Sequence, residues 1–518
     1  MTQFHLPQGS SGPWYISTDP LTGLIWFVEQ GSNQIGSINP INSKFSEYNI
    51  TTPNSTPEAI TSDNSGNVWV TELGANQIGE LPAKSSEMSE VKIPRGPENL
   101  ACGPDGITAA SDGSIWFTCE FSNQIDEFFP SNSSFHEYNL PVFFSAPIQI
   151  VFDRNGNFWF TAADSDMIGY ASVSQLSNGT ENGIQEFAPI NRSFVTTISN
   201  PQQPSEKIVT SLSTPAQLAL SSDGGSLWIS EHTASSFDRY DIGSKTLVKY
   251  WTSQTHNSNY AESLPNGISI DTSGNVWIAE HYGNKIAEFD PSTEQFVEYP
   301  IPCCSGGIAG TLYLTTGPNG SVWFTEFFGN AIGVLKPAGG TTGPRLQMRI
   351  GDGRQSYHMS SASGLSAESN LTVPIVVQIS DGGTVSQKLV FDISGVSDTG
   401  ELHNLSAVFS PSTVSIQGSG LNGTNLVLKA QSSTLRPGIY YLTVSVKSSL
   451  DNSTYSGILK LTVSGDTTSS LLSKSLLLEA LVVSGITSII VVSSIAFVTR
   501  NRKYHRKIAK SKARPKHR

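Results

Sequence analysis

Charge is scarce in this sequence. Asp, Glu, Lys and Arg together make up 14% of its 518 residues, against 46 Gly and 28 Pro. Such a composition argues against long helices and for many short strands joined by tight turns, so an all-β protein is expected. The length exceeds what one hydrophobic core serves, which predicts two or three domains. Cationic surface is also lacking over most of the chain. Ten Lys or Arg and no acid follow residue 499, so the remainder of a chain of net charge −12 carries −22. A surface that acidic repels phosphate and excludes nucleic-acid binding.

Cysteine is nearly absent, at Cys102, Cys119, Cys303 and Cys304, and none has zinc-ligand spacing. In an oxidising exterior a Cys102–Cys119 bridge and a rarer, strained Cys303–Cys304 bridge are the pairings open, with four buried thiols as the alternative. Met1 to Pro7 has neither the basic nor the apolar region of a secretory signal. The expectation is that Met1 lies downstream of the true start or that a signal was removed. Long apolar runs are missing but for Leu476 to Val498, broken only by Glu479 near its start. That length crosses a bilayer once, and the basic flank from Arg500 to Arg518 places the tail in the cytoplasm and residues before about 475 outside.

What is abundant is repetition. Gly-x-apolar-Trp-apolar recurs from Gly23, Gly66, Gly113, Gly156, Gly225, Gly274 and Gly320. Its tryptophans, Trp26, Trp69, Trp116, Trp159, Trp228, Trp277 and Trp323, are spaced by 43, 47, 43, 69, 49 and 46 residues. These are propeller-blade periods. The long interval is read as a surface-loop insertion between about Ser172 and Ser211. Seven residues past most tryptophans stands Asn or Asp, then a short strand such as Gln34-Ile35-Gly36, then an alternating strand such as Phe45-Ser46-Glu47-Tyr48. Four antiparallel strands repeated seven times make a seven-bladed β-propeller over residues 1–340. The last unit lacks its Phe-x-Glu-Tyr strand, and Gln3-Phe4-His5-Leu6 is expected to supply it. The tryptophans are expected to pack between blades.

From about Arg345 the tryptophans stop, and alternating segments between Val373 and Val463 predict a β-sandwich over residues 345–465. Its Phe409-Ser410-Pro411 and Gly438-Ile439-Tyr440-Tyr441 stretches resemble immunoglobulin-like modules of microbial surface proteins. Residues 466–475 are read as a linker, 476–498 as a transmembrane helix and 499–518 as a basic cytoplasmic tail.

The units Gly113-Ser114-Ile115-Trp116-Phe117-Thr118 and Gly320-Ser321-Val322-Trp323-Phe324-Thr325-Glu326, with Asn330-Ala331-Ile332-Gly333, resemble the virginiamycin B (streptogramin) lyase family over about residues 2–340. The resemblance implies a seven-bladed propeller that opens a cyclic depsipeptide by elimination, with a magnesium ion. It further implies a histidine directly after a blade-opening Pro, a carboxylate just before that Pro, and a carboxylate four past a Trp. Here the positions after the Pro hold Trp14, Glu58, Asp105, Ile148, Ala216, Asn266 and Leu312, none of them histidine, and Gly103 and Leu264 precede the relevant prolines. Glu120, four past Trp116, matches the metal carboxylate, and Asp105 stands where its blade would need the base.

The same face gathers other polar groups. Glu29, Glu72, Glu231, Glu280 and Glu326 lie three past a Trp; His232 and His281 lie four past, on consecutive blades. His281 and His232 are the candidate acid and base, and Glu280, Glu231, Asn266 and Tyr282 the candidate ligand contacts. Glu120 and Asp105 would hold a divalent cation such as Mg, if any cofactor is used. The recurrence of the Glu regardless of its neighbours favours a structural role, accepting backbone N–H groups of the following turn. Phe121, Tyr282, Phe327 and Phe328 would line the rim. Three functions follow: a surface-anchored module binding a small molecule, peptide, glycan or protein; a metal-dependent lyase or hydrolase; or a structural cell-envelope spacer.

Overall fold

The computed structural model describes residues 1–7, 11–187, 196–200, 203–210, 214–252, 263–292, 295–302 and 308–336. Beyond these it describes 345–350, 357–360, 368–380, 386–397, 400–401, 405–417, 421–431, 438–448 and 454–464. The first group forms seven four-stranded antiparallel blades, the sixth continued by further strands of the second group, and a two-stranded hairpin. Blade 1 shows the pattern: strand a Pro13–Thr18, b Ile25–Glu29, c Gln34–Ile38 and d Phe45–Asn49. Blades 2 to 7 open at Pro57, Pro104, Pro147, Pro215, Pro265 and Leu314.

Each turn has a local cause. The glycine that opens the Trp phrase takes a left-handed φ, for example +84° at Gly66 and +91° at Gly113, a region that a Cβ penalises. The residue seven past the Trp is left-handed too, as at Asn33, Asn76, Asn123, Asn284 and Asn330. Asn tolerates this conformation and uses its amide. Nδ2 of Asn33 donates to the Ile50 carbonyl at 3.2 Å, and its Oδ1 accepts the Ser55 N–H at 2.8 Å. Asn284 repeats this with Ile301 and Ala309. The turn after strand b thus holds the connection to the next blade.

The core lies between blades. Trp69 packs with Ile107, Ile115 and Phe117 of blade 3, and Trp277 with Leu314, Val322 and Phe324 of blade 7. Trp323 packs with Ile16, Ile25 and Phe27 of blade 1, which closes the ring. Closure is completed as expected by the chain's start. Thr2–His5 is the outer strand of blade 7, in register Thr2↔Val334 to His5↔Ala331.

The interval after Ser172 is more than a loop. It contains the outer strand of blade 4, Ile184–Phe187, and a two-stranded hairpin, Thr196–Asn200 with Gln203–Thr210. Cys102 and Cys119 are bridged. Cys303 and Cys304, the linker, the apolar run 476–498 and the basic tail lie outside the described residues. Within those residues no helix is long and apolar enough to cross a membrane.

The second group forms a four-stranded sheet that includes Glu368–Ser380 and Leu421–Gln431, and a further set that includes Ser386–Ser397, Gly438–Ser448 and Thr454–Ser464. Leu426 and Leu428 of the former, with Leu442, Val444 and Val446 of the latter, are buried. Thr454–Ser464 also pairs with blade 6 strand d, in register Gln295↔Gly457 to Glu298↔Thr454.

Candidate functional site

In blades 1 to 6 the start of strand a is paired with the end of strand b, so both lie on one face, around the inner strands. The start of strand a is fixed there by a hydroxyl two residues past the Trp of the preceding blade. Thr71 donates to the Asp105 carbonyl at 2.6 Å, Thr161 to Ala216 at 3.1 Å and Ser230 to Asn266 at 2.5 Å. Thr325 donates to Trp14 at 2.9 Å. The Trp-x-Thr phrase therefore aims the channel-lining residues of the neighbouring blade.

Those residues meet across the channel. The rings of Tyr15 and Tyr313 are 4.6 Å apart and those of Trp14 and Tyr313 6.1 Å. Gln149 of blade 4 donates to the Tyr15 hydroxyl at 3.0 Å. Asn266 donates to the Leu312 carbonyl at 3.1 Å, and Gln217 accepts the Ile268 N–H at 3.1 Å.

Two groups of titratable side chains stand on this face. The first is an arc of carboxylates on blades 2 to 4. Glu58 is raised well above the carboxylate range by burial, then by the charges of Asp105 and Glu120. Asp105 is raised by burial and by Glu120, and Glu120 is pushed up to about 7 by burial and then by Asp164. Gln30 donates to Glu58 Oε1 at 3.0 Å. The main electrostatic neighbours of these acids are one another, an arrangement stabilised by protons or by a bound cation.

The second group is a histidine pair on blades 5 and 6. The imidazoles of His232 and His281 stack at 6.0 Å, with Tyr282 4.5 Å and Phe328 6.4 Å from His281. Burial lowers His232 to about 4 against the hydrogen bond of its Nδ1 with the Pro265 carbonyl, and burial, then His232, lowers His281 to about 3. Both rings are neutral near pH 7, and Nδ1 of His281 is buried with no hydrogen-bond partner.

A model described as the virginiamycin B lyase family matches residues 1–106, and one described as the SMP-30/gluconolactonase/LRE-like region matches residues 147–318. A solved streptogramin B lyase is 25% identical with a TM-score of 0.53, over 65% of this chain and 96% of its own. A catalytically inactive virginiamycin B lyase variant from Staphylococcus aureus, solved with quinupristin, is 25% identical with a TM-score of 0.51, over 64% and 97%. No curated protein matches the chain. The propeller is virginiamycin B lyase-like.

Within this virginiamycin B lyase-like propeller Asp105 feels the charge of Glu120, and His232 stacks on His281, on separate arcs. Glu231 and Glu280 are fully buried inside their blades instead of facing the mouth. Glu280 neighbours Lys285 and Glu298, and a side chain on Gly283 of the following turn would meet its Oε2 at 2.6 Å. The recurring Glu is buried in blades 1, 2, 5, 6 and 7, and in three of them it accepts from a side chain where the following turn's backbone N–H groups were expected. Glu29 accepts from Ser32 at 3.1 Å, Glu72 from Gln77 at 2.7 Å and Glu326 from Gln3 at 2.7 Å. Leu264 is buried and left-handed at φ +48°, and the Asn266 amide is committed to the channel, so neither offers an anionic metal ligand. Glu58, Tyr15 and Tyr313 were missed as site residues. Their signal was position: Glu58 and Tyr15 stand one and two residues after the opening of strand a, and Tyr313 directly before it in blade 7.

Proposed function

We propose that this is a single-pass membrane protein that displays a ligand-binding virginiamycin B lyase-like propeller outside the cell on an immunoglobulin-like stalk. The apolar run 476–498 and its basic flank support the anchor, and the Cys102–Cys119 bridge suits an oxidising exterior. The carrying observation is the carboxylate arc of Glu58, Asp105 and Glu120, all raised by burial, with Glu58 raised further by the charges of Asp105 and Glu120 and Asp105 by that of Glu120. Hard oxygen donors without a strong counter-charge suit a divalent cation such as magnesium, or the ammonium group of a peptide or small molecule. Glu120, Asp105 and Glu58 are the residues that would hold it. The test is magnesium and calcium titration of the full chain, read as thermal stabilisation. Saturable stabilisation that Asp105→Asn and Glu120→Gln each abolish supports the reading; equal response in all three proteins rejects it.

A second reading is a lyase or hydrolase, favoured by the buried, unpartnered Nδ1 of His281 stacked beside His232 on the channel face. It requires turnover of a cyclic ester peptide that drops on His281→Ala and on chelation. Activity indifferent to both rejects it.

A further inference from the structure

On the opposite face, between blades 4 and 5, lies a cavity of about 780 Å³. It is bordered by the a–b turn of blade 4 and the c–d turn of blade 5, away from the channel mouth. Its floor is aromatic. Trp159 lies 4.8 Å from Tyr170, 6.2 Å from Phe187 and 5.9 Å from Tyr240. Its margin is polar, with Asn155, Gln185 and Lys245 exposed and Asp153 half-buried.

Trp159 shares a buried, unpartnered indole N–H with Trp26 of blade 1, but it is Trp159 that lines this cavity. In blades 2 and 6 the equivalent indole donates to the aspartate six residues before it, Asp63 or Asp271, and in blades 3 and 7 to Ser114 or Ser321. Blade 4 keeps that aspartate as Asp153, with the same contacts from Asn155 and Asn157 that Asp63 and Asp271 receive in their own turns, yet without the indole bond. The indole Nε1 of Trp159 has no partner, although only 4% of the residue is exposed and it lines the cavity. A buried donor without an acceptor is destabilising, and a ligand acceptor that reaches it would relieve that cost.

We infer that the blade 4–blade 5 groove is a second ligand site, built for an uncharged sugar of one to three rings. The C–H face of a sugar ring packs on an aromatic floor while its hydroxyls serve amide, carboxylate and indole groups at the margin. The volume lies within the range of small-ligand pockets. The site shares no residue with the carboxylate arc or the histidine pair, so it stands independently of the channel-face reading.

The test is tryptophan fluorescence of the full chain, held in a detergent without a sugar head group. Methyl glycosides of glucose, galactose, mannose and N-acetylglucosamine are titrated, then their β-linked disaccharides. At least one should saturate with Kd of order millimolar, and Tyr170→Ala and Asn155→Ala should each weaken it about tenfold, with Glu120→Gln without effect. Should Tyr170→Ala fail to fold, Asn155→Ala and Gln185→Ala, both at exposed positions, carry the test. No saturation by any of these sugars overturns the inference. So does equal affinity in all variants, or tighter binding of 4-nitrophenol than of every sugar.

Discussion

Glu72 is fully buried, and desolvation pushes its carboxyl up to about 7, Glu90 adding to the effect while the Gln77 amide opposes it. The folded state therefore binds the proton more tightly than the unfolded chain. Its contribution to stability is complete below the ordinary carboxylate range and is lost as pH rises through about 7. Between pH 4 and pH 8.5 wild type should lose up to about 3 kcal/mol that Glu72→Gln does not lose. Denaturant unfolding at the two pH values measures the difference; parallel losses in both proteins would show that Glu72 does not titrate in this window. At this scale the sequence was readable where a residue recurs. The Asn seven past the Trp and the Glu three past it announced themselves by period. The carboxylate arc was legible only in part: Asp105 and Glu120 stood out through the resemblance, whereas Glu58 did not, because the position after the opening Pro, which it shares with Asp105, holds a different residue in every blade.

The strand explains why Ile-Gly recurs in strand c. A Cβ on Gly79 would stand 2.7 Å from Glu72 Oε1 and 2.9 Å from a Val70 methyl, so the glycine makes room for the buried Glu of strand b. Gly79→Ala should cost about 1–3 kcal/mol by overpacking. An unfolding midpoint equal to wild type would mean that the blade relaxes around the methyl. Element boundaries were readable wherever Trp, Asn and Phe-x-Glu-Tyr fell in order. Blade 4 broke the order, since its outer strand, Gly183-Ile184-Gln185-Glu186-Phe187, lies within a Ser- and Asn-rich stretch and lacks the usual Tyr.

Over the whole molecule, closure joins the chain's start to blade 7. Phe4 stacks on Trp323 at 5.9 Å and meets Phe45 at 6.2 Å, linking the last blade to the first. Phe4→Ala should lower stability by about 2–3 kcal/mol and loosen the ring at that seam, seen as faster amide exchange in Ala331–Leu335 than in the other strands. Exchange raised evenly in all seven blades would place closure elsewhere. The ring was readable in the sequence because its period is, whereas the channel chemistry is not periodic and the histidines expected from the resemblance are replaced. The account therefore turns on the carboxylate arc. Calorimetric titration of magnesium and calcium into the full chain at pH 7.5 tests it most directly. The prediction is one saturable site with proton release, weakened at least about tenfold by Asp105→Asn. No binding heat, or binding untouched by that substitution, would contradict it.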